Sequence, residues 1–169
     1  MANGGSLTTA LCENRLDLAL LENGPGLPEL HCEQLGTDRL CAVLAPTHPL
    51  AAQSSLTLEQ LAAVPLLVRE PGSTARAVLE NALAAQGLAL HPTWESVSTE
   101  ALLQSAAEGL GVAVLPEQRA QPAAQGGRIC LRPIGDGAFV RRRVIAWHRE
   151  KYLTASMQRF IDLCRAQAR

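Results

Sequence analysis

The chain has 169 residues, a length that suits one domain of roughly 100–200 residues. Hydrophobic residues make up 47% of it and aromatic residues only 3%, which argues against intrinsic disorder and leaves leucine and alanine to build the core. The 15 basic and 16 acidic residues give a formal net charge of −1, which excludes a domain that holds nucleic acid by bulk positive charge.

The start of the chain carries no export or membrane signal. No apolar run reaches the ~18 residues that suggest a transmembrane helix. The segment from Met1 to Ser6 also lacks the basic and apolar regions of a signal peptide. We therefore expect a cytoplasmic protein that does not associate with a membrane, unless a leader has been removed.

Five cysteines occur at positions 12, 32, 41, 130 and 164, without a Cys-x-x-Cys motif. Four of them lie within apolar segments, so we expect reduced, buried thiols that pack as small hydrophobic side chains. A redox pair such as Cys32 and Cys41 is the alternative. No His/Cys cluster has the spacing of a metal site, and we expect neither a metal nor another cofactor.

The first half of the chain predicts short strands and helices separated by glycine and proline turns. Ser73 is expected to cap a helix that runs to Gln86 and is followed by Gly87. Thr57 is expected to cap the helix before it. The elements predicted up to Arg69 are a helix over 7–15, strands over 16–21, 31–35 and 40–45, a helix over 56–63 and a strand over 65–69.

The second half continues the alternation of strands and helices, which predicts an α/β fold with a largely parallel sheet. Thr154 opens the last helix, where Met157, Phe160, Ile161 and Cys164 form an apolar stripe. The elements before that helix are a strand over 90–97, a helix over 99–108, a strand over 112–115, a loop over 121–127 and strands over 129–134 and 140–147.

The most informative stretch is REPGSTAR, from Arg69 to Arg76. A buried strand leads through a glycine turn into a helix N-terminus, whose first N–H groups lack partners and carry the positive end of the helix dipole. The hydroxyls of Ser73 and Thr74 and the charges of the two arginines favour a small carboxylate or phosphate there. An ordinary capped helix with exposed arginines is the alternative.

A second strand-to-helix turn contains Ser98 and Thr99. In open α/β sheets ligands lie at the carboxyl ends of strands, so both turns can face one crevice. Helix capping alone is again the alternative. The Gly-x-Gly of Gly109 and Gly111 follows a helix and precedes a strand, which is the wrong order for a dinucleotide turn.

Catalytic motifs are absent from the sequence, so we predict a protein that is not an enzyme. It contains no Gly-x-Ser-x-Gly, no Walker A and no His-Glu-x-x-His. The basic run from Arg141 to Arg143 is expected to be a solvated strand end rather than a nucleic-acid patch.

In this order the segments resemble the effector-binding domain of LysR-type transcriptional regulators. The C-terminal strand and the helix with Phe160 are similar to the ending of that domain. The other matching segments are LCENRLDLALL at 11–21, LCAVLAPTHPL at 40–50, LLVREPGSTAR at 66–76 and the E-x-x-S…GLG-x-x-x-LP block at 95–116.

The resemblance implies a fold like that of type 2 periplasmic binding proteins, with a small effector between two lobes. The residues at the helix starts favour a carboxylate or a phosphate as that effector. Lobe one would hold residues 1–50 and 134–169, and lobe two residues 51–133. The effector would be bound by residues at the two helix starts and at the strand end before them: Arg69, Ser73, Thr74, Ser98 and Thr99.

Members of this family begin with a winged helix-turn-helix, and their effector domain opens with a β-α-β unit. Neither is recognised in this chain, so the resemblance implies DNA contact only through a missing N-terminal domain. It also implies a homo-oligomer. A solute-binding protein of a transporter with the same fold is the alternative function, and a thiol sensor or an α/β enzyme are further ones.

Overall fold

The structure is a computed structural model that describes residues 4–135 and 139–167. It forms two compact units: unit 1 is Met1–Thr37 with Arg141–Arg169, and unit 2 is Asp38–Val140. The lobe boundaries expected from the sequence, after residues 50 and 133, differ from this division. Residues 38–50 join unit 2 because Ala42, Leu44 and Ala51 pack in one cluster with Ile134.

Unit 1 is built on β1 and β7, which pair antiparallel so that Leu20 lies opposite Ile145. Alternate residues of β7 face opposite sides of the sheet: Val144 packs with Leu11 on one side, and Ile145 packs with Ile161 on the other. The elements of unit 1 are α1 (Gly4–Cys12), β1 (Ala19–Glu22), the first part of β2 (Leu30–Leu44), β7 (Val140–His148) and α6 (Ala155–Gln167).

Unit 2 contains the rest of β2 and a sheet with helices on both faces. Leu61, Leu79 and Leu83 pack on one face, and Leu102 and Ala120 on the other. Besides a 3-10 helix at Pro49–Ala52, its elements are α2 (Leu58–Ala62), β3 (Leu66–Arg69), α3 (Thr74–Ala85), β4 (Pro92–Ser96), α4 (Thr99–Ala107), β5 (Val112–Pro116), α5 (Glu117–Gln125) and β6 (Cys130–Pro133).

The sheet pairing is mixed, so the expectation of a largely parallel sheet is wrong. β3 runs parallel to both β4 and β5. β2, however, pairs antiparallel with β5 and β6. Parallel neighbours need a crossover connection. Helix α3 provides one between β3 and β4, and α4 then connects β4 to β5.

One local prediction is confirmed in detail, and the structure adds a close backbone approach at a glycine. Thr57 caps α2 in a reciprocal capping box with Gln60. Gly111 lies where the chain packs closely: a Cβ at this position would be 2.4 Å from the carbonyl oxygen of Pro65. The adjacent Val112 donates its N–H to the same oxygen at 2.9 Å, so this glycine lets β5 approach the start of β3.

Two predictions, the break between two strands and one loop, are wrong because tertiary pairing and packing override local sequence signals. The strands expected at 31–35 and 40–45 form one strand, β2, that runs through the Gly36-Thr-Asp segment. The loop expected at 121–127 lies largely in helix α5, which contains Pro122. Its Ala120 and Ala123 are buried against the neighbouring helix and strands, and this burial favours the helix despite the proline.

Two side chains occupy positions that the sequence did not predict. Phe160, expected in the apolar stripe of α6, is 45% exposed, whereas Ile161 is fully buried. Arg141, expected at a solvated strand end, is buried and forms an ion pair with Glu22. The charge of Arg141 is thus matched inside unit 1.

Cys32 and Cys41 cannot pair within the chain. Both lie on β2, nine residues apart, which is about 30 Å along an extended strand. A disulfide needs Cβ atoms about 3.5–4.5 Å apart. No helix in the described part of the chain is long and apolar enough to cross a membrane.

Candidate anion-binding site

The two helix starts that the sequence singled out follow neighbouring parallel strands of unit 2. β3 ends at Arg69, and β4 ends at Ser96, which lies beside Arg69 in the strand register. The Nη1 of Arg69 donates a hydrogen bond to Oγ1 of Thr99 at 3.1 Å. The structure therefore brings two of the five expected residues into direct contact at the carboxyl edge of the sheet.

The start of α3 is left without a side-chain cap. The turn before it closes through the N–H of Ser73, which donates to the carbonyl of Glu70 at 3.2 Å. Gly72 in this turn has a positive φ of 86°, which favours glycine. Ser73 has the extended backbone of an N-cap, but its hydroxyl makes no capping hydrogen bond. Neither this hydroxyl nor that of Thr74, the first residue of α3, caps the helix.

The start of α4 is capped in the ordinary way. The Oγ of Ser98 accepts from the N–H of Ala101 at 3.2 Å, and the Oγ of Ser96 accepts from the N–H of Ser98 at 3.1 Å. A serine hydroxyl that accepts a bond still has its hydrogen to donate. The capping interpretation is thus correct for Ser98, and the next residue, Thr99, contacts Arg69.

Both arginines of the REPGSTAR segment are ion-paired and largely buried, so the alternative of an ordinary helix start with exposed arginines is wrong. Arg69 pairs with Glu70 at 2.8 Å. Arg76 pairs with Glu80 and with Glu95, each at 2.7 Å. None of these three carboxylates was predicted from the sequence as a partner of the arginines. Glu80 was detectable from its i,i+4 spacing, whereas Glu95 reaches Arg76 only because β4 lies beside β3.

These ion pairs change the electrostatics of the site. The hydrogen bond to Glu80 outweighs burial and, with Glu95, raises the pKa of Arg76 above its usual value. At Glu70, burial acts to raise the pKa, but the hydrogen bonds from Arg69 and the backbone lower it overall. Three carboxylates face two guanidinium groups, so an incoming anion must use the N–H groups of α3 or displace a carboxylate.

Two cysteines differ in burial, and this difference predicts different rates of alkylation. Burial, followed by the negative charges of Glu117 and Asp38, raises the pKa of Cys41 to about 12. Burial also raises the pKa of Cys32, against the lowering effect of Arg149, but the Cys32 residue is exposed. We therefore expect iodoacetamide at mildly alkaline pH to modify Cys32 faster than Cys41, which it should spare until the protein unfolds. Mass spectrometry of the peptides measures both rates. Equal rates under native conditions would contradict the burial of Cys41.

The described residues include no group of three or more His, Cys, Asp or Glu side chains that could hold a metal ion. The polar groups of the site are guanidinium, hydroxyl and backbone N–H groups, which suit an anion rather than a cation.

The family model of the LysR substrate binding domain matches residues 1–169. The HTH-type transcriptional regulator YeiE of Escherichia coli K12 is 29% identical over 97% of this chain and 56% of its own length. The HTH-type transcriptional regulator YwqM of Bacillus subtilis is 32% identical over 92% of this chain and 53% of its own length. The chain thus spans about half the length of these two relatives.

A third relative has a different name. The phosphonates import ATP-binding protein PhnC of Anaeromyxobacter dehalogenans is 30% identical over 99% of this chain, which covers 34% of that protein. The region shared with this chain is therefore a minor part of PhnC.

Two solved structures have the same fold. The Synechocystis CcmR regulatory domain in complex with 2-PG gives a TM-score of 0.87 at 23% identity, covering 99% of this chain and 81% of that one. The effector binding domain of QuiR in complex with shikimate gives a TM-score of 0.82 at 17% identity, covering 99% of this chain and 78% of that one. These structures confirm the predicted α/β fold. Because the family model matches throughout, the chain belongs to the LysR substrate binding domain family.

Proposed function

We propose that this domain senses a small anionic effector at the starts of α3 and α4. It passes the binding signal to a DNA-binding helix-turn-helix outside this chain. The observation that carries the proposal is that the N-terminus of α3 has no side-chain cap. α3 and α4 follow the neighbouring strands β3 and β4, and Arg69 at the end of β3 bonds Thr99 at the start of α4. The effector would contact Ser73, Thr74, Ser98, Thr99 and Arg69.

The chemistry of the site supports a carboxylate or a phosphate. Unpaired N–H groups at a helix N-terminus bind anions and gain from the helix dipole. Arg69 adds a planar set of donors that matches both groups. The shikimate held by QuiR is itself a carboxylate, which supports a ligand of this class. Sensing an effector at this site requires binding but no catalytic step. The relatives YeiE and YwqM are named as regulators.

The first test is a thermal-shift titration with inorganic phosphate and with shikimate. We expect at least one of them to raise the melting temperature in a saturable way, because a ligand that binds only the folded state stabilises it. Ser73→Ala should weaken binding by about tenfold, the effect of losing one hydrogen bond to a charged group at roughly 1.5 kcal/mol.

The matched control is Ser55→Ala, which removes an exposed hydroxyl outside the site. We expect it to leave the titration unchanged. If neither anion stabilises the wild-type domain, or if Ser73→Ala binds as well as Ser55→Ala, the site at α3 is contradicted.

Self-association is the second part of the proposal, and unit 1 provides the surface. Within the described residues β1 lies at the end of the strand order, with β7 between it and β2. Leu20 of β1 is 53% exposed, and Phe160 and Leu163 of α6 are 45% and 57% exposed. An uncovered strand edge with apolar neighbours is a template for pairing with another chain.

The geometry of α6 directs this apolar surface towards β1. Arg165 bonds Glu33 of β2 at 2.6 Å, so that side of α6 faces β2. Successive residues of a helix are about 100° apart around its axis, so Phe160 and Arg165 project on opposite sides of the buried Ile161. Phe160 therefore faces the β1 edge, and a second copy of the chain docked there would cover Leu20 and Phe160 together.

Sedimentation velocity tests this surface. We expect wild-type protein to associate in the micromolar range and the double variant Leu20→Glu/Phe160→Glu to stay monomeric, since buried carboxylates without partners are costly. Leu110→Glu, at a leucine of unit 2 that is 57% exposed, is the control and should associate like wild type. A monomeric wild type, or an associating double variant, would contradict the proposal.

A transporter-linked solute-binding role is the second candidate, which the match to PhnC favours. Assays on the full-length protein distinguish the regulator from the transporter-linked role. Salt-sensitive binding to DNA upstream of its own gene supports the regulator, which would work in the cytoplasm. ATP hydrolysis or association with a membrane permease supports transport.

A further inference from the structure

All three nitrogens of the Arg69 guanidinium donate hydrogen bonds to groups of its own chain. Its Nε donates to Oε2 of Glu70 at 2.8 Å and its Nη2 to Oε1 of the same carboxylate at 3.1 Å. The Nη1 donates to Oγ1 of Thr99 at 3.1 Å. The Glu70 carboxylate thus uses the two-pronged geometry with which an arginine binds a ligand carboxylate or phosphate.

This pair lies within reach of a ligand. The side chains of Arg69 and Glu70 are 19% and 29% exposed. Glu70 opens the turn that ends at Ser73, immediately before the uncapped start of α3. Its carboxylate therefore occupies the arginine next to the place where the anion is proposed to bind.

Arg76 provides an internal contrast. It is held by two carboxylates, one from its own helix and one from β4, and its side chain is only 13% exposed. It also donates to the carbonyl of Arg69 at 3.4 Å. Releasing Arg76 would require breaking contacts to three elements, whereas releasing Arg69 requires only that one adjacent glutamate swing aside.

We propose that Glu70 is an internal competitor for the effector: it occupies Arg69 in the unliganded domain and is displaced when the acidic group of the effector binds. This inference rests on the anion site of the proposed function. The exchange replaces one acceptor by another on the same guanidinium, so Thr99 keeps its hydrogen bond. The affinity for the effector is lowered by the fraction of time that Glu70 occupies Arg69.

The test is the Glu70→Gln variant, titrated with inorganic phosphate by calorimetry. Glutamine has nearly the same shape but no charge, so it competes far less for a guanidinium. If Arg69 is self-occupied for nine-tenths of the time, we expect phosphate to bind about tenfold more tightly than to wild type. Glu70→Asp, which keeps the charge, should stay closer to wild type, and Arg69→Gln should lose binding.

The matched control is Glu80→Gln, which removes the same charge from Arg76 and leaves Arg69 paired. A similar gain in this variant would show that general electrostatics, not displacement, sets the affinity, and would overturn the inference. The inference would also be overturned if Glu70→Gln binds phosphate no more tightly than wild type while Arg69→Gln loses binding. That outcome leaves the anion site intact, whereas wild type and Arg69→Gln binding equally, or neither binding, contradicts the site itself.

Discussion

Gly111→Ala is expected to lower the free energy of unfolding of unit 2 by roughly 3 kcal/mol, the upper end for overpacked positions. The new Cβ would lie 2.4 Å from the Pro65 carbonyl oxygen and 3.1 Å from its carbon, and both are backbone atoms that no rotamer change can move. The glycine also has a φ of +157°, which side chains rarely tolerate. Urea denaturation followed by circular dichroism measures the loss.

Two other glycines of unit 2 serve as graded controls. Gly109 has a φ of +78°, but a Cβ added to it would meet nothing within 4 Å, so alanine there should cost about 1 kcal/mol from backbone strain alone. Gly126 has a φ of −76° and contacts no closer than 3.6 Å, so alanine should be nearly neutral. If Gly111→Ala is no worse than Gly109→Ala, the close approach between β5 and β3 is incorrect.

Leu79→Ala is expected to cost about 2–5 kcal/mol, the range for truncating a buried leucine. Leu79 is fully buried in α3, in a cluster with Leu61, Leu66 and Leu83. Truncation removes apolar contacts and leaves a cavity beneath the helix whose N-terminus forms the proposed site. The ligand titration should then start from a lower melting temperature, because α3 itself is loosened.

The control for this change is Leu110→Ala, at a leucine that is 57% exposed just after α4. We expect it to alter stability by less than about 0.5 kcal/mol, as for most surface substitutions. Equal losses in the two variants, measured by urea denaturation, would contradict the burial of α3 on the sheet.

The helices with strong local signals were predictable from the sequence. Ser73 stands at the N-cap of α3, and Gly87 follows its end with a φ of +72°. Thr57 and Gln60 form the capping box of α2. Such signals act over one turn of the chain, so they place a helix start whatever the rest of the fold does. The capping bond itself forms at Thr57 but not at Ser73, where the expected side-chain cap is absent. The serine and threonine pairs at the two helix starts were found for the same reason.

Elements set by distant partners were not predictable. β2 runs through Gly36, Thr37 and Asp38, residues typical of turns, because a strand is held by hydrogen bonds to its neighbours rather than by its own propensity. The same holds for α5, which forms around Pro122 because its alanines are buried. Local propensity is a weak term that burial overrides.

By itself, the sequence determined a leucine- and alanine-rich α/β domain with two hydroxyl-bearing helix starts, because composition and short-range capping patterns are properties of the chain alone. Only the tertiary structure decided the electrostatics of the candidate site. Glu95 of β4 reaches Arg76 of α3, and Thr99 lies 30 residues from Arg69 yet accepts its hydrogen bond. Charges separated in the chain neutralise one another only when folding brings them within a few ångströms, since water and salt screen them otherwise.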